Sequence, residues 1–228
     1  MESLYGRAMI IVVANSKGGV GKSTVSVHLA AWLHDQGYTV TLADCDMQHS
    51  SAQWIKEASP AVKTVCFDDP NDILNELPGL AAECDFVVAD GPGSQSETSR
   101  ALLLRADRAI VPCKASILEA RALTKATESL RQAQDIRAGH PEAIIVLSMV
   151  GKNYRLTRDM KTAAKSLGLP MAHTALILRQ IYADAPGQGA VVSKLGSRAS
   201  EAAQEIDALF RELMPEVTKS RVQKLKRR

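Results

Sequence analysis

Two rhythms of apolar residues alternate along this chain. The first is a short, unbroken run rich in β-branched residues, as in Met-Ile-Ile-Val-Val-Ala at residues 9–14, Phe86-Val87-Val88 and Ile144-Ile145-Val146. Such a run suits a strand covered on both faces, because neither side of its pleat meets water. Strands are predicted on this basis over residues 9–14, 39–44, 62–67, 85–90, 108–111 and 143–149, with a short one near 171–175. The second rhythm is a spacing of three and four. Residues 23–36 carry Val27, Ala30, Ala31 and Leu33 on one side and stop at Gly37, a helix-ending residue. Residues 115–137 are rich in helix formers and polar on one face. Residues 197–213 place Ala199, Ala202, Ala203, Ile206, Leu209, Phe210 and Leu213 at helical spacing. Strands alternating with helices predict an α/β fold: a doubly wound, mainly parallel sheet of about seven strands flanked by helices, with its ligand at the carboxyl ends of the strands. No repeat, low-complexity segment or long linker divides the chain, so one domain is expected over residues 1–213, followed by a tail over 214–228.

Composition adds little beyond this. With 228 residues, 46% apolar and 23% charged, the chain reads as one globular domain with a sizeable core. No apolar run approaches the about 20 residues that span a bilayer, and the start lacks a signal-type core, so a cytoplasmic location is expected. Cys45, Cys66, Cys84 and Cys113 are scattered singly, which suits buried, reduced thiols better than a metal or iron–sulfur site. Charge changes the picture more. Of a net +3, residues 211–228 supply +5 (seven Lys/Arg against two Asp/Glu), leaving −2 for the rest. A basic tail of this kind is either a solvated end or a contact for nucleic acid or an anionic surface.

The candidate chemistry follows the first strand. Residues 17–24 read Lys-Gly-Gly-Val-Gly-Lys-Ser-Thr. A strand running into a glycine loop and then a helix gathers backbone N–H groups and the positive end of the helix dipole around a phosphate. Lys22 adds a point charge, and the Ser23 hydroxyl can ligate Mg²⁺. A strict phosphate loop has glycine at position 16, where this chain has Ser16, with a second lysine, Lys17, beside it. That pattern resembles the deviant phosphate-loop signature of the ParA/MinD family of dimeric ATPases. The resemblance implies ATP and Mg²⁺ as cofactors, a nucleotide cradle of Lys17, Gly18, Gly19, Val20, Gly21, Lys22, Ser23 and Thr24, and a Lys17 that reaches the phosphates of a second subunit.

Two acidic segments extend the likeness. Asp44-Cys45-Asp46-Met47-Gln48 resembles the family's Asp-x-Asp-Pro-Gln, with Met47 in place of proline. Carboxylates at i and i+2 leaving a strand are expected to point the same way, toward the phosphates. By resemblance Asp46 positions the attacking water and Asp44 supports the loop and metal, so Lys17, Lys22 and Asp46 form the catalytic set, and Ser23, Asp46 and Asp90 the metal set. Asp90-Gly91-Pro92-Gly93 ends an apolar strand on aspartate, as in a Walker B segment. The glycines flanking Pro92 suit a loop that senses the γ-phosphate. Ala109-Ile110-Val111-Pro112 resembles the family's fifth strand, where Pro112 either simply stops the strand or touches the ligand. Residues 179–186 resemble a late segment that helps enclose the base and contributes to a DNA-contacting surface. Pro112, Met149 and Arg179 complete the expected nucleotide set, although position 148 is Ser where some relatives carry an adenine-reading Asn.

The resemblance implies a short ParA-type ATPase that dimerises with ATP, binds DNA non-specifically and positions a plasmid, chromosome region or protein body. A ParB-type or cargo-adaptor protein would stimulate its hydrolysis on the nucleoid. Arg179, Lys194, Arg198, Lys219, Arg221 and Lys224 are the expected DNA contacts. Fewer than ten residues precede the first strand, so an amino-terminal helix-turn-helix is not expected. Two rivals share the fold. A MinD-like membrane regulator would need an amphipathic end, and only Val217, Val222 and Leu225 are strongly apolar after Pro215. A metabolic ATP-dependent ligase would lack the lysine at the Lys17 position.

Overall fold

The computed structural model describes residues 8–116, 127–151, 162 and 164–218. Its centre is a parallel sheet of six strands: β1 (Met9–Val13), β2 (Val40–Asp44), β3 (Lys63–Cys66), β4 (Phe86–Asp90), β5 (Arg108–Lys114) and β6 (Glu142–Ser148). Their order across the sheet is β3-β2-β4-β1-β5-β6. The helices bounded at both ends among the described residues are, in chain order, α1 (Lys22–Asp35), α2 (Ser50–Ala58), α3 (Pro70–Leu80), α4 (Glu97–Arg105), α5 (Glu128–Ile136), α6 (Gln180–Gly187) and α7 (Ser200–Leu213).

The apolar runs account for the two layers. Ile11, Val13, Leu42, Phe86, Val88 and Ile110 face one core with residues of α1, α2, α6 and α7. Their chain neighbours Ile10, Val12, Ala43, Val87, Ala89 and Val111 face the other, beneath α3, α4 and α5. Central strands are buried on both faces, while β3, at the edge, is short and partly exposed. Helix boundaries follow local chemistry. Asp69 caps α3 by accepting from the Asn71 N–H, with Pro70 at the first helical position. Ser96 caps α4 from the Ser99 N–H. Beyond α1, Gly37 has a φ of +88°, and Tyr38 N–H reaches back to Leu33 O, which closes the helix as its sequence predicts.

Six strands replace the expected seven. Residues 171–175 touch β6 through one bridge, Met171 to Ile145. The ladder fails there because the Glu212 carboxylate takes the N–H groups of His173 (2.6 Å) and Thr174 (2.9 Å), turning both away from β6. The long helix expected over 115–137 is seen as α5; its residues 117–126 lie outside the described residues. The packed body also continues beyond Leu213. Met214 and Val217 are buried, and Glu216 pairs with Arg108 at 2.9 Å.

α1 is more deeply enclosed than a one-sided apolar stripe implies, since residues 25–33 are all buried. That burial traps His28, whose ring lies edge-on to Trp54 of α2 and Tyr182 of α6. Its Nδ1–H donates to Thr24 O at 2.7 Å, and its Nε2 accepts the Val192 N–H at 3.1 Å, so the neutral tautomer is fixed by two partners. Burial lowers its pKa from 6.5 to about 4. The unfolded chain therefore takes up a proton near pH 6.5 that the folded chain refuses until about pH 4, and stability is lost as pH falls through that window. Relative to His28→Gln, the wild-type protein should lose roughly 3 kcal/mol between pH 7 and pH 4. Urea unfolding of both proteins across that range checks this; parallel pH profiles would contradict it.

Candidate phosphate and metal site

Register brings the site together. Val13, Asp90 and Asp44 stand level at the carboxyl ends of β1, β4 and β2. From Val13 the chain leaves the sheet through a glycine loop and re-enters as α1. Two side chains, Asn15 and Ser148, fasten this loop through three hydrogen bonds. Asn15 Nδ2 donates to Pro112 O at 2.7 Å, Asn15 Oδ1 accepts the Lys17 N–H at 3.0 Å, and Ser148 Oγ donates to Val20 O at 2.7 Å. Lys22 turns back across the loop, its Nζ 3.0 Å from Lys17 O. Gly19 and Gly21 hold φ of +67° and +89°, a region L side chains rarely adopt, so the loop needs glycine there.

Beneath the loop, Asp90 is fully buried. Its Oδ1 lies 2.9 Å from Ser26 Oγ, which also lies 3.0 Å from Lys22 O. Its Oδ2 is enclosed with no hydrogen-bond partner of adequate geometry, and the Ser51 hydroxyl is likewise buried and unsatisfied. Burial raises the Asp90 pKa from 3.8 to about 6, with the Asp44 charge adding to it; the hydroxyls of Ser23, Ser26 and Ser51 oppose the rise. Lys22 is itself nearly buried, and burial lowers its pKa against the pull of Asp90 and Asp46. An orphaned carboxylate oxygen beside a serine hydroxyl is a hard-oxygen donor pair, which fits Mg²⁺. Among the described residues no group of three His, Cys, Asp or Glu could hold a metal alone, so phosphate oxygens and water would complete its shell.

The two carboxylates of the second segment do not point the same way. Strand alternation ends at Asp44, and Asp44 is turned inward: its Oδ1 accepts the Asp46 N–H at 3.1 Å and its Oδ2 the Ala52 N–H at 2.8 Å. It therefore pins the start of α2 instead of facing a ligand. Asp46 stays half-exposed, with Oδ1 accepting the Gln48 N–H at 3.1 Å, and its charge is felt by Lys22.

The Gly91-Pro92-Gly93 loop closes over the phosphate loop. Gly91 N–H donates to Val13 O at 3.0 Å. A Cβ on Gly93 would lie 3.2 Å from Gly18 Cα and 3.5 Å from Lys22 Nζ, and one on Gly91 would lie 3.1 Å from Val13 O. Both positions are thus reserved for glycine by the approach of backbone.

On the other side of the loop, a cavity of about 140 Å³ is lined by Gly21, Thr24, Met149, Leu176, Leu178 and Tyr182, among others. Arg179 and Met149 line it as expected. Ser148 lines it too, but its hydroxyl is spent on Val20 O. Pro112 is buried away from it and serves the loop through its carbonyl. A larger cavity, about 620 Å³, lies at the far end of β5 and β6, where Arg108 is already paired with Glu142 and Glu216. It is remote from the loop.

Residues 11–208 match the family described as the CobQ/CobB/MinD/ParA nucleotide binding domain. The chain belongs to that family. It is 33% identical over 216 residues to the maintenance of carboxysome distribution protein A of Halothiobacillus neapolitanus, covering 92% of this chain and 98% of that protein. Among solved structures, an ATP complex of a Cyanothece McdA variant superposes with a TM-score of 0.71 at 15% identity, covering 90% of this chain and 96% of that one. The MinD cell division protein of Aquifex aeolicus gives 0.72 at 15%, covering 91% and 97%. These two likenesses show the fold. The chain is thus a ParA/MinD-family ATPase.

Of the expected DNA contacts, Arg179 is engaged by Glu201 and by Glu205 (2.6 Å), so its charge is already matched. Lys194 Nζ donates to Ala58 O at 3.1 Å, and Arg198 to Gln188. Lys219, Arg221 and Lys224 lie outside the described residues. Asn15, Ser26 and Ser51 were missed from the sequence, and Ser148 was considered only as a base contact and not as a fastener of the loop. Ser26 carried a signal, being a polar residue between Val25 and Val27 on a buried helix, where it must be hydrogen-bonded.

A metal held by Asp90 requires its carboxylate form. Mg²⁺-dependent nucleotide affinity should fall as pH is lowered through about 6, and Asp90→Asn should weaken the metal requirement at all pH values. Titrations of nucleotide with and without Mg²⁺ from pH 5 to 8 check this; a wild-type profile flat across pH 6 would contradict it.

Proposed function

We propose that this chain is a ParA-type ATPase that forms a dimer around Mg-ATP, binds DNA without sequence preference in that state, and positions a protein body. The observation that carries the reading is the division of labour between two lysines of one loop. Lys22 is drawn inward, bonded to Lys17 O and facing Asp90. Lys17 is half-buried in the same loop, with its own peptide fixed by Asn15. Lys22 serves the nucleotide of its own chain, and Lys17 serves phosphates presented by a second copy, acting as an arginine finger does.

ATP is the substrate and Mg²⁺ the cofactor; when bound, the cation neutralises phosphate charge. Ser23 and Asp90 would hold it. Asp46, beside Lys22 and open to the cleft, orients the attacking water. The cavity beside Gly21 takes the base, with Tyr182 and Met149 as its walls. Similarity along nearly the whole chain to a protein named for carboxysome distribution supports a protein body as cargo, with an adaptor protein that stimulates hydrolysis. Among the described residues no helix is long and apolar enough to cross a membrane.

Lys17→Gln should keep ATP binding within about tenfold and lose the ATP-dependent dimer, whereas Asp46→Ala should trap that dimer with little hydrolysis. Light scattering and single-turnover hydrolysis decide between these outcomes. A normal dimer from Lys17→Gln, or wild-type turnover from Asp46→Ala, would overturn the assignment concerned.

DNA binding should require ATP, because two copies are needed to place enough charge on one face. Affinity should fall with salt at a log–log slope of roughly −0.9 per phosphate neutralised. Removing residues 219–228 should cost more than Arg179→Ala, since Arg179 is already paired with Glu201 and Glu205. Gel shifts on unrelated duplexes with ATP, ADP and no nucleotide measure this; equal binding in all three states would contradict the model.

A further inference from the structure

A third lysine stands at the phosphate loop, and no motif includes it. Lys114 is the last residue of β5, and its Nζ lies 3.9 Å from where a Cβ on Gly19 would be. Its backbone position is set by the same bonds that shape the loop. Two residues earlier, Pro112 O accepts Asn15 Nδ2; across the β5–β6 ladder Lys114 pairs with Ser148, whose hydroxyl is bonded to Val20 O. Strand alternation puts Lys114 on the face of Ile110, the side that carries α1 and the loop. Among the described residues no carboxylate pairs with Lys114, and it is exposed, so packing and ion pairing give it no structural task. Lys22, by contrast, has Asp90 and Asp46 as neighbours.

The three glycines of the loop divide its surroundings. Gly18 meets Gly93 of the loop after β4, Gly19 meets Lys114 at the end of β5, and Gly21 meets Ser148 and Met149 at the end of β6. A phosphate chain lying over the loop, from the base cavity beside Gly21 toward Gly93, passes the Lys114 ammonium midway. We propose that Lys114 is an additional phosphate-binding residue, contacting the β- and γ-phosphate oxygens of the nucleotide held by its own chain. This rests on the nucleotide reading of the loop and adds to it a contact that the Gly-Lys motif does not supply.

An exposed ammonium on a phosphate is a charge-assisted bond weakened by solvent, which sets the expected effect at about five- to tenfold in affinity. Binding of ATP and ADP by wild type, Lys114→Gln, Lys114→Glu and Lys114→Arg is measured by calorimetry in low and moderate salt, with Lys22→Ala alongside. Lys114→Gln should weaken both nucleotides by that factor and Lys114→Glu by more, Lys114→Arg should stay within about twofold of wild type, and the differences should shrink as salt rises. The loss should persist in a Lys17→Gln background; its disappearance there would overturn the assignment to the same chain's nucleotide. Wild-type affinity in Lys114→Gln and Lys114→Glu, with Lys22→Ala inactive in binding, would overturn the role of Lys114 and leave the loop assignment standing. Absence of nucleotide binding by the wild-type protein would overturn both.

Discussion

Two carboxylates buried side by side, Asp44 and Asp90, set the terms for the rest of this structure. They stand in register at the ends of β2 and β4, and both are fully enclosed. Burying a charged group is costly unless it is satisfied, and the two are treated differently. Asp44 receives two backbone N–H groups and so fixes the turn that presents Asp46. Asp90 receives one serine hydroxyl and keeps an oxygen without a partner. The first is a structural anchor. The second keeps the unsatisfied oxygen on which the proposed cation site rests, and burial raises its pKa.

Around this pair the loop is built to hold its shape. Asn15 and Ser148 fasten it to β5 and β6, so its N–H groups do not need a ligand to be gathered. Pro112 fits this scheme. The edge of β5 that faces β1 gives its Ile110 carbonyl to the Ala14 N–H, and by Pro112 the chain of β1 has left for the loop, so the N–H that proline lacks has no ladder partner to miss. Behind the loop, α1 carries His28, which ties it to Trp54 of α2, Tyr182 of α6 and the Val192 amide. α1 is thereby joined to the helix that follows Asp46 and to a wall of the cavity beside Gly21.

Much of this was legible in the chain. All six strands were located, most clearly β1, β4 and β6, whose β-branched runs mark strands covered on both faces; the edge strand β3 carries Lys63 and Thr64 and is partly exposed. The glycine loop, Lys22 and Asp90 were singled out because phosphate and cation chemistry favours particular residues at particular spacings, and the structure gathers them at the ends of β1 and β4. Reading failed where a contact distant in sequence decided the outcome. A seventh strand was predicted from residues 171–175, whose ladder is broken by Glu212, and Asp44 and Asp46 were assigned one direction because strand alternation was carried past Asp44, where the strand ends. Arg179 was read as a free cation, and its partners Glu201 and Glu205 lie one helix away on α7. Ser51 gave no signal, since a serine early in a helix is ordinarily a surface residue.

The central claim is that an unsatisfied Asp90 oxygen and the Ser23 hydroxyl hold Mg²⁺ only together with nucleotide phosphates. Calorimetric titration of ATP into the wild-type protein, with Mg²⁺ present and then removed by chelator, tests it most directly. The account predicts one ATP per chain with an affinity that drops sharply when the metal is removed, and no binding of Mg²⁺ in the absence of nucleotide. Equal ATP affinity with and without the metal, or tight Mg²⁺ binding to the protein alone, would contradict it.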